Sequence, residues 1–137
     1  MFVRDTDVRS ALRRPERDAN LEAWVRRRRT ADLYLSVITI GEIERGIGLQ
    51  RTSNPAFADA LAAWLDTVLG LYGDRILPFD LPAARRWGLL SATLGNTTPD
   101  LMIAATALEH GLTVATRNIS DFEPTGVTLV NPFHRSK

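Results

Sequence analysis

Short apolar runs alternate along the chain with longer stretches in which apolar residues return every three or four positions. Phe2–Asp5, Leu33–Ser36, Arg75–Phe79, Leu112–Thr116 and Val127–Val130 have the length and composition of buried strands. Helical spacing fills the intervals. A first helix capped by Thr6 or Asp7 runs through Val8, Ala11 and Leu12 and stops before Pro15. Asp18–Arg29 carries Leu21, Trp24 and Val25 on one face, and Ile38–Leu49 turns Ile40, Ile43 and Ile47 inward. Asn54–Tyr72 has the longest stripe, through Phe57, Leu61, Trp64, Leu65, Val68 and Leu69, and Leu81–Leu94 follows with Trp87, Leu90 and Leu94. The last helix opens at Pro99 and Asp100 and is stopped by Gly111, with Arg117–Asp121 as a loop after the next strand. Strands separated by helices predict an α/β domain with a parallel sheet.

Composition narrows this picture. A chain of 137 residues, 45% hydrophobic and 24% charged, predicts a single globular domain over 1–137. With no cysteine there is no disulfide, zinc-thiolate or thiol chemistry. No apolar run reaches the ~20 residues of a membrane span, and Arg4, Asp5 and Asp7 stand where a signal peptide is apolar. A cytoplasmic location is expected. The net charge of +1 conceals an asymmetry: residues 1–51 hold 11 Arg against 8 acids, and residues 52–137 hold 6 Lys and Arg against 8 acids. Arg13, Arg14, Arg26, Arg27 and Arg28 are candidates for RNA contact, with a solvated, solubilising face as the alternative.

Four acids recur at equivalent places in the pattern. Asp5 ends the first strand, Glu42 lies in the helix after the second, Asp100 begins a helix, and Asp121 follows the fourth strand. Ligands of open α/β sheets bind beyond the carboxyl ends of the strands. Each acid also has a local explanation, since Thr39-x-x-Glu42, Thr97-x-x-Asp100 and Asn118-x-x-Asp121 fit or nearly fit a capping box. Capping does not account for four acids at one edge. Two carboxylates ~4 Å apart repel by about 4 kcal/mol at an effective dielectric near 20, so a cluster takes up protons or a hard cation. Oxygen donors alone favour Mg²⁺ or Mn²⁺ over zinc.

These residues resemble the PIN-domain family, specifically the VapC/FitB type of toxin. The likeness is carried by Asp5-Thr6-Asp7, LYLSVITIGEIERGI at Leu33–Ile47, PDLMIAATALEHGL at Pro99–Leu112, TRNISDF at Thr116–Phe122 and VTLVNPF at Val127–Phe133. The resemblance implies a three-layer α/β/α fold around a five-stranded parallel sheet, and a Mg²⁺- or Mn²⁺-dependent endoribonuclease acting as the toxin of a type II toxin–antitoxin pair. By motif position Asp5, Glu42, Asp100 and Asp121 are the catalytic, metal-binding acids. Thr6 supports Asp5, and Thr116 and Asn118 shape the loop holding Asp121. The implied partners are a cognate VapB/FitA-like antitoxin, an RNA substrate, further copies of the chain in a homodimer or larger assembly, and DNA only through the antitoxin. The alternative is a catalytically weak PIN subunit acting mainly as antitoxin partner in a DNA-binding autoregulatory complex. Three departures from the family pattern stand close together: Arg4 and Arg9 replace usual apolar residues, and Asp7 replaces a usual Asn. A charge in a central strand is costly without compensation, so Arg4 is expected to pair with a neighbouring acid and displace metal, to point outward on a distorted strand, or to be a substitution tolerated because it lowers toxicity. It is expected to weaken metal binding or activity.

Overall fold

The structure is a computed structural model and describes residues 1–5 and 19–132. The expected first helix, with Thr6, Arg13 and Arg14, lies outside the described residues. Five strands, β1 (Phe2–Arg4), β2 (Leu33–Ser36), β3 (Ile76–Leu77), β4 (Thr113–Ala115) and β5 (Leu129–Val130), form one sheet in the order β3-β2-β1-β4-β5. Every neighbouring pair is parallel. β1 is therefore the central strand, with Val3 opposite Tyr34 on one side and Val114 on the other.

The helices are α1 (Ala19–Arg26), α2 (Val37–Ser53), α3 (Pro55–Tyr72), α4 (Leu81–Leu94), α5 (Pro99–His110) and the single turn α6 (Ile119–Phe122). Side chains alternate across a strand, and the sheet uses this to build two cores. Val3 and Val114 pack on one face with Ile103, Ala104 and Ala107 of α5 and with Phe122 of α6. Leu33, Leu35 and Ala115 pack on the other with Trp24 of α1 and Tyr72 of α3. A third cluster, Ile43, Ile47, Ala58, Leu61 and Leu65, joins α2 to α3 as a helical hairpin. This is the expected three-layer α/β/α arrangement.

Local chemistry sets the ends of these helices. Asn54 Oδ1 accepts the Phe57 N–H at 3.2 Å to start α3, and Asp80 Oδ1 accepts the Ala83 N–H at 3.1 Å to start α4. Gly111 stops α5 in a left-handed conformation, φ 64, that suits glycine. Several elements differ from expectation: α1 ends at Arg26 rather than Arg29, α2 runs on to Ser53 rather than Leu49, and β5 begins at Leu129 rather than Val127. Arg75 belongs to a 3₁₀ turn, Gly73–Arg75, so β3 begins one residue later, and it ends at Leu77 where Pro78 removes the next N–H donor. The stretch after β4, expected as a loop, instead winds into α6 with Asp121 inside it.

Candidate active site

The direction of each element decides which acids share an edge. Asp5 follows β1 directly and its N–H donates to the Ala115 carbonyl at 2.9 Å, so it stands at the carboxyl edge. α5 leads back into the amino end of β4, which puts its own N-terminus, with Asp100 as second residue, at that same edge. Asp121 follows β4 by six residues and also lies on this side. Glu42 is the sixth residue of α2, about 8 Å along the axis from the helix start at ~1.5 Å per residue. Asp5 and Asp100 are half-buried, whereas Glu42 and Asp121 are exposed.

At this edge a pair of hydrogen bonds joins two strands. Thr116 Oγ1 donates to Asp5 Oδ2 at 2.7 Å, and the same oxygen accepts the Asn118 N–H at 2.9 Å. Thr116 is fully buried, so its hydroxyl has a defined task on both sides. The resemblance assigned Thr116 and Asn118 to the loop that holds Asp121. Besides accepting the Asn118 N–H within that loop, Thr116 reaches across from the end of β4 to Asp5 beyond β1. Replacing Thr116 by Val keeps the shape and removes the donor. Thr116→Val is expected to cost about 1–3 kcal/mol, the range for a hydrogen bond to a charged group and its orphaned partner, read by urea unfolding, and to slow RNA cleavage. Wild-type stability in Thr116→Val would exclude this role.

The capping explanation of the acids fares poorly on the side of the proposed caps. α2 is capped by Ser36, whose Oγ accepts the Ile38 N–H at 3.0 Å, while Thr39 lies inside the helix, fully buried. Thr98, not Thr97, occupies the cap position of α5 and makes no side-chain cap bond; nor does Asn118 at α6.

The basic residues and Arg4 are placed unexpectedly. α1 ends near the amino edge, where the chain turns into β2, and the Arg28 guanidinium lies 4.8 Å from the Trp24 ring centroid and 5.3 Å from that of Phe2. Arg28 thus stands beside the amino end of β1, at the opposite edge of the sheet from the acids, with Arg26 and Arg27 just before it in the chain. Arg4 stays in the regular ladder, opposite Ala115, and turns to the α3 face. Its Nη1 donates to the Tyr72 hydroxyl at 3.0 Å. Among the described residues it forms no ion pair with an acid. Tyr72, 68 positions away, had no signal in the sequence.

The donor set at the carboxyl edge, carboxylates with a supporting hydroxyl, has the chemistry of a site for a hard divalent cation. As placed, the side chains do not enclose one: among the described residues no three of His, Asp and Glu gather closely enough to hold an ion.

A parallel α/β/α layer with acids along its carboxyl edge places the chain among the open-sheet folds that bind ligands at that edge, and the PIN domain model matches residues 3–123. The chain belongs to the PIN-domain family. Relatives matched over nearly their whole length include proteins named VapC and FitB. It is 39% identical over 143 residues to the VapC ribonuclease Y4jK of Sinorhizobium fredii, covering 97% of this chain and 98% of the relative. It is 36% identical over 140 residues to the toxin FitB of Neisseria gonorrhoeae, covering 98% and 99%. The solved structure of FitAB bound to an IR36 DNA fragment matches with a TM-score of 0.83 at 34% identity, over 100% of this chain and 99% of that one.

Proposed function

We propose that the chain acts as one PIN unit, the toxin of a toxin–antitoxin pair, and cleaves RNA phosphodiester bonds with Mg²⁺ or Mn²⁺. The observation that carries this is the Asp5 carboxylate held by Thr116 Oγ1 at the carboxyl edge, on the side where α5 presents Asp100. Asp5, Glu42, Asp100 and Asp121 are the residues that would hold the cation. The cation would supply an activated water and offset charge on the phosphoryl group. Thr116 keeps Asp5 oriented through its hydroxyl, and Asn118 keeps that hydroxyl oriented through its backbone N–H. Asp100 sits in the first turn of α5, where the helix dipole favours a carboxylate.

The kinship with a protein named a VapC ribonuclease supports the chemistry, and kinship with the toxin FitB and the FitAB–DNA complex supports the partners. These are a VapB/FitA-like antitoxin, DNA through that antitoxin, and further copies of the chain. No helix among the described residues is long and apolar enough to cross a membrane, and we place the pair in the cytoplasm. Purified protein incubated with structured RNA is expected to cleave in Mg²⁺ or Mn²⁺ and to stop in EDTA. Cleavage that persists in EDTA would exclude metal dependence.

A second reading, a catalytically weak subunit that serves mainly as antitoxin partner, is favoured by one observation. Arg4 places a guanidinium next to Asp5 in the chain, with a neutral partner in place of an acid. Cation-dependent cleavage at a rate ordinary for nucleases would reject it.

A further inference from the structure

Arg4 closes the central strand one residue before Asp5. On the sheet its neighbour is Ala115, and the register carried one residue on from Val3 and Tyr34 sets Leu35 on the other side. A guanidinium keeps its charge in proteins and offers five N–H donors. Half-buried between apolar neighbours, it needs an acceptor, and the structure supplies the Tyr72 hydroxyl at 3.0 Å.

Tyr72 is itself held. It ends α3, is 9% exposed, and the Arg75 guanidinium lies 4.8 Å from its ring centroid. Arg75 in turn donates to the carbonyls of Thr30, Leu33 and Leu71, which leaves the ring little room to move. The last carbonyls of a helix carry partial negative charge, which favours cations at this end of α3. The phenol is thus a fixed tether. Arg4 is drawn to one face of β1 while Asp5, next in the chain, is held by Thr116. The outcome is a permanent positive charge on the residue preceding Asp5, held on the α3 face of β1, with no ion pair to a carboxylate among the described residues.

We propose that Arg4 is a built-in counter-charge, tethered by Tyr72, that lowers the affinity of the acidic edge for a divalent cation. This rests on the metal-dependent reading of that edge. A fixed cation repels a second one, and the half-buried position limits screening by salt. Tyr72 decides where the charge sits. Without its hydroxyl the guanidinium is released from the α3 face and can swing towards the carboxylates.

The test is Mn²⁺ binding by calorimetry on the full chain without RNA, with folding checked by circular dichroism. Arg4→Leu suits its apolar surroundings and is expected to tighten Mn²⁺ binding roughly tenfold, while Arg4→Lys, which keeps the charge, stays near wild type. Tyr72→Phe is expected to weaken binding in the wild-type background and to change nothing in the Arg4→Leu background. A purely structural bond predicts weaker binding in both Arg4→Leu and Tyr72→Phe. Unchanged or weaker binding in folded Arg4→Leu, with wild type binding normally, would overturn the counter-charge alone. No binding by wild type together with clear binding by Arg4→Leu would support it in its strongest form. No binding by either would overturn the metal-dependent reading, and the counter-charge with it.

Discussion

Asp5→Asn and Asp100→Asn are each expected to reduce Mg²⁺-dependent RNA cleavage by roughly 10²–10³-fold, the size of effect seen when one group that stabilises developing charge is lost. The substitution is chosen to leave the fold alone. Asn at position 5 keeps a carbonyl oxygen to accept from Thr116 Oγ1, so the tie between β1 and β4 survives in weaker form. Asn at position 100 stays in the first turn of α5 and gives up only the carboxylate's share of the dipole interaction, typically 0.3–1 kcal/mol. Acids that share an edge also repel one another in the absence of a cation, so neutralising one offsets part of these losses. Thermal melting without metal is therefore expected to stay within a few degrees of wild type while cleavage is lost. The companion measurement is growth on expression: wild type arrests it and neither variant does. Full cleavage by either variant would remove that acid from the site.

What the sequence made legible follows from where local signals decide the structure. β2 could be placed to the residue because Leu33–Ser36 is a short apolar run between helical stretches. α5 was bracketed by Pro99 and Gly111, whose backbone preferences act without tertiary help. The shared edge of Asp5, Asp100 and Asp121 was foreseeable for the same reason, since a parallel sheet fixes which end of each helix meets the carboxyl ends of the strands. Tertiary effects hid the rest. α6 is four residues long, too short for periodicity, and exists because Phe122 is drawn into the core. Thr39 has capping-box spacing to Glu42, yet Ser36, three residues earlier, is the cap and leaves Thr39 inside the helix. Arg28, a candidate for RNA contact in the sequence, packs against Phe2 and Trp24 at the amino end of β1, away from the acids. The Arg4–Tyr72 bond spans 68 positions and has no local signature.

The largest expected loss of stability lies beside the site rather than in it. Phe122 is fully buried, packed with Val3, Ile103, Ala104, Ala107, Leu112, Val114 and Val127 between α5 and the sheet. Phe122→Ala removes most of that side chain from a core built on strands and a long helix, which relax little around a void. The expected cost is about 3–5 kcal/mol in urea unfolding, with the slope unchanged. Against a typical total of ~5–15 kcal/mol this is a third or more of the stability of a domain. The function should fall with it for a second reason. α6 spans a single turn, too short to be stable on its own hydrogen bonds, and Phe122 is its only buried residue. Without that anchor the turn is expected to fray and Asp121 to lose its place, so cleavage falls further than the folded fraction alone predicts. Phe122→Leu, which fills part of the space, is expected to recover both stability and cleavage in step. Phe122→Ala with near-wild-type unfolding would mean that the face between α5 and the sheet is not the core described here. Normal cleavage by the folded fraction would mean that Asp121 does not depend on α6.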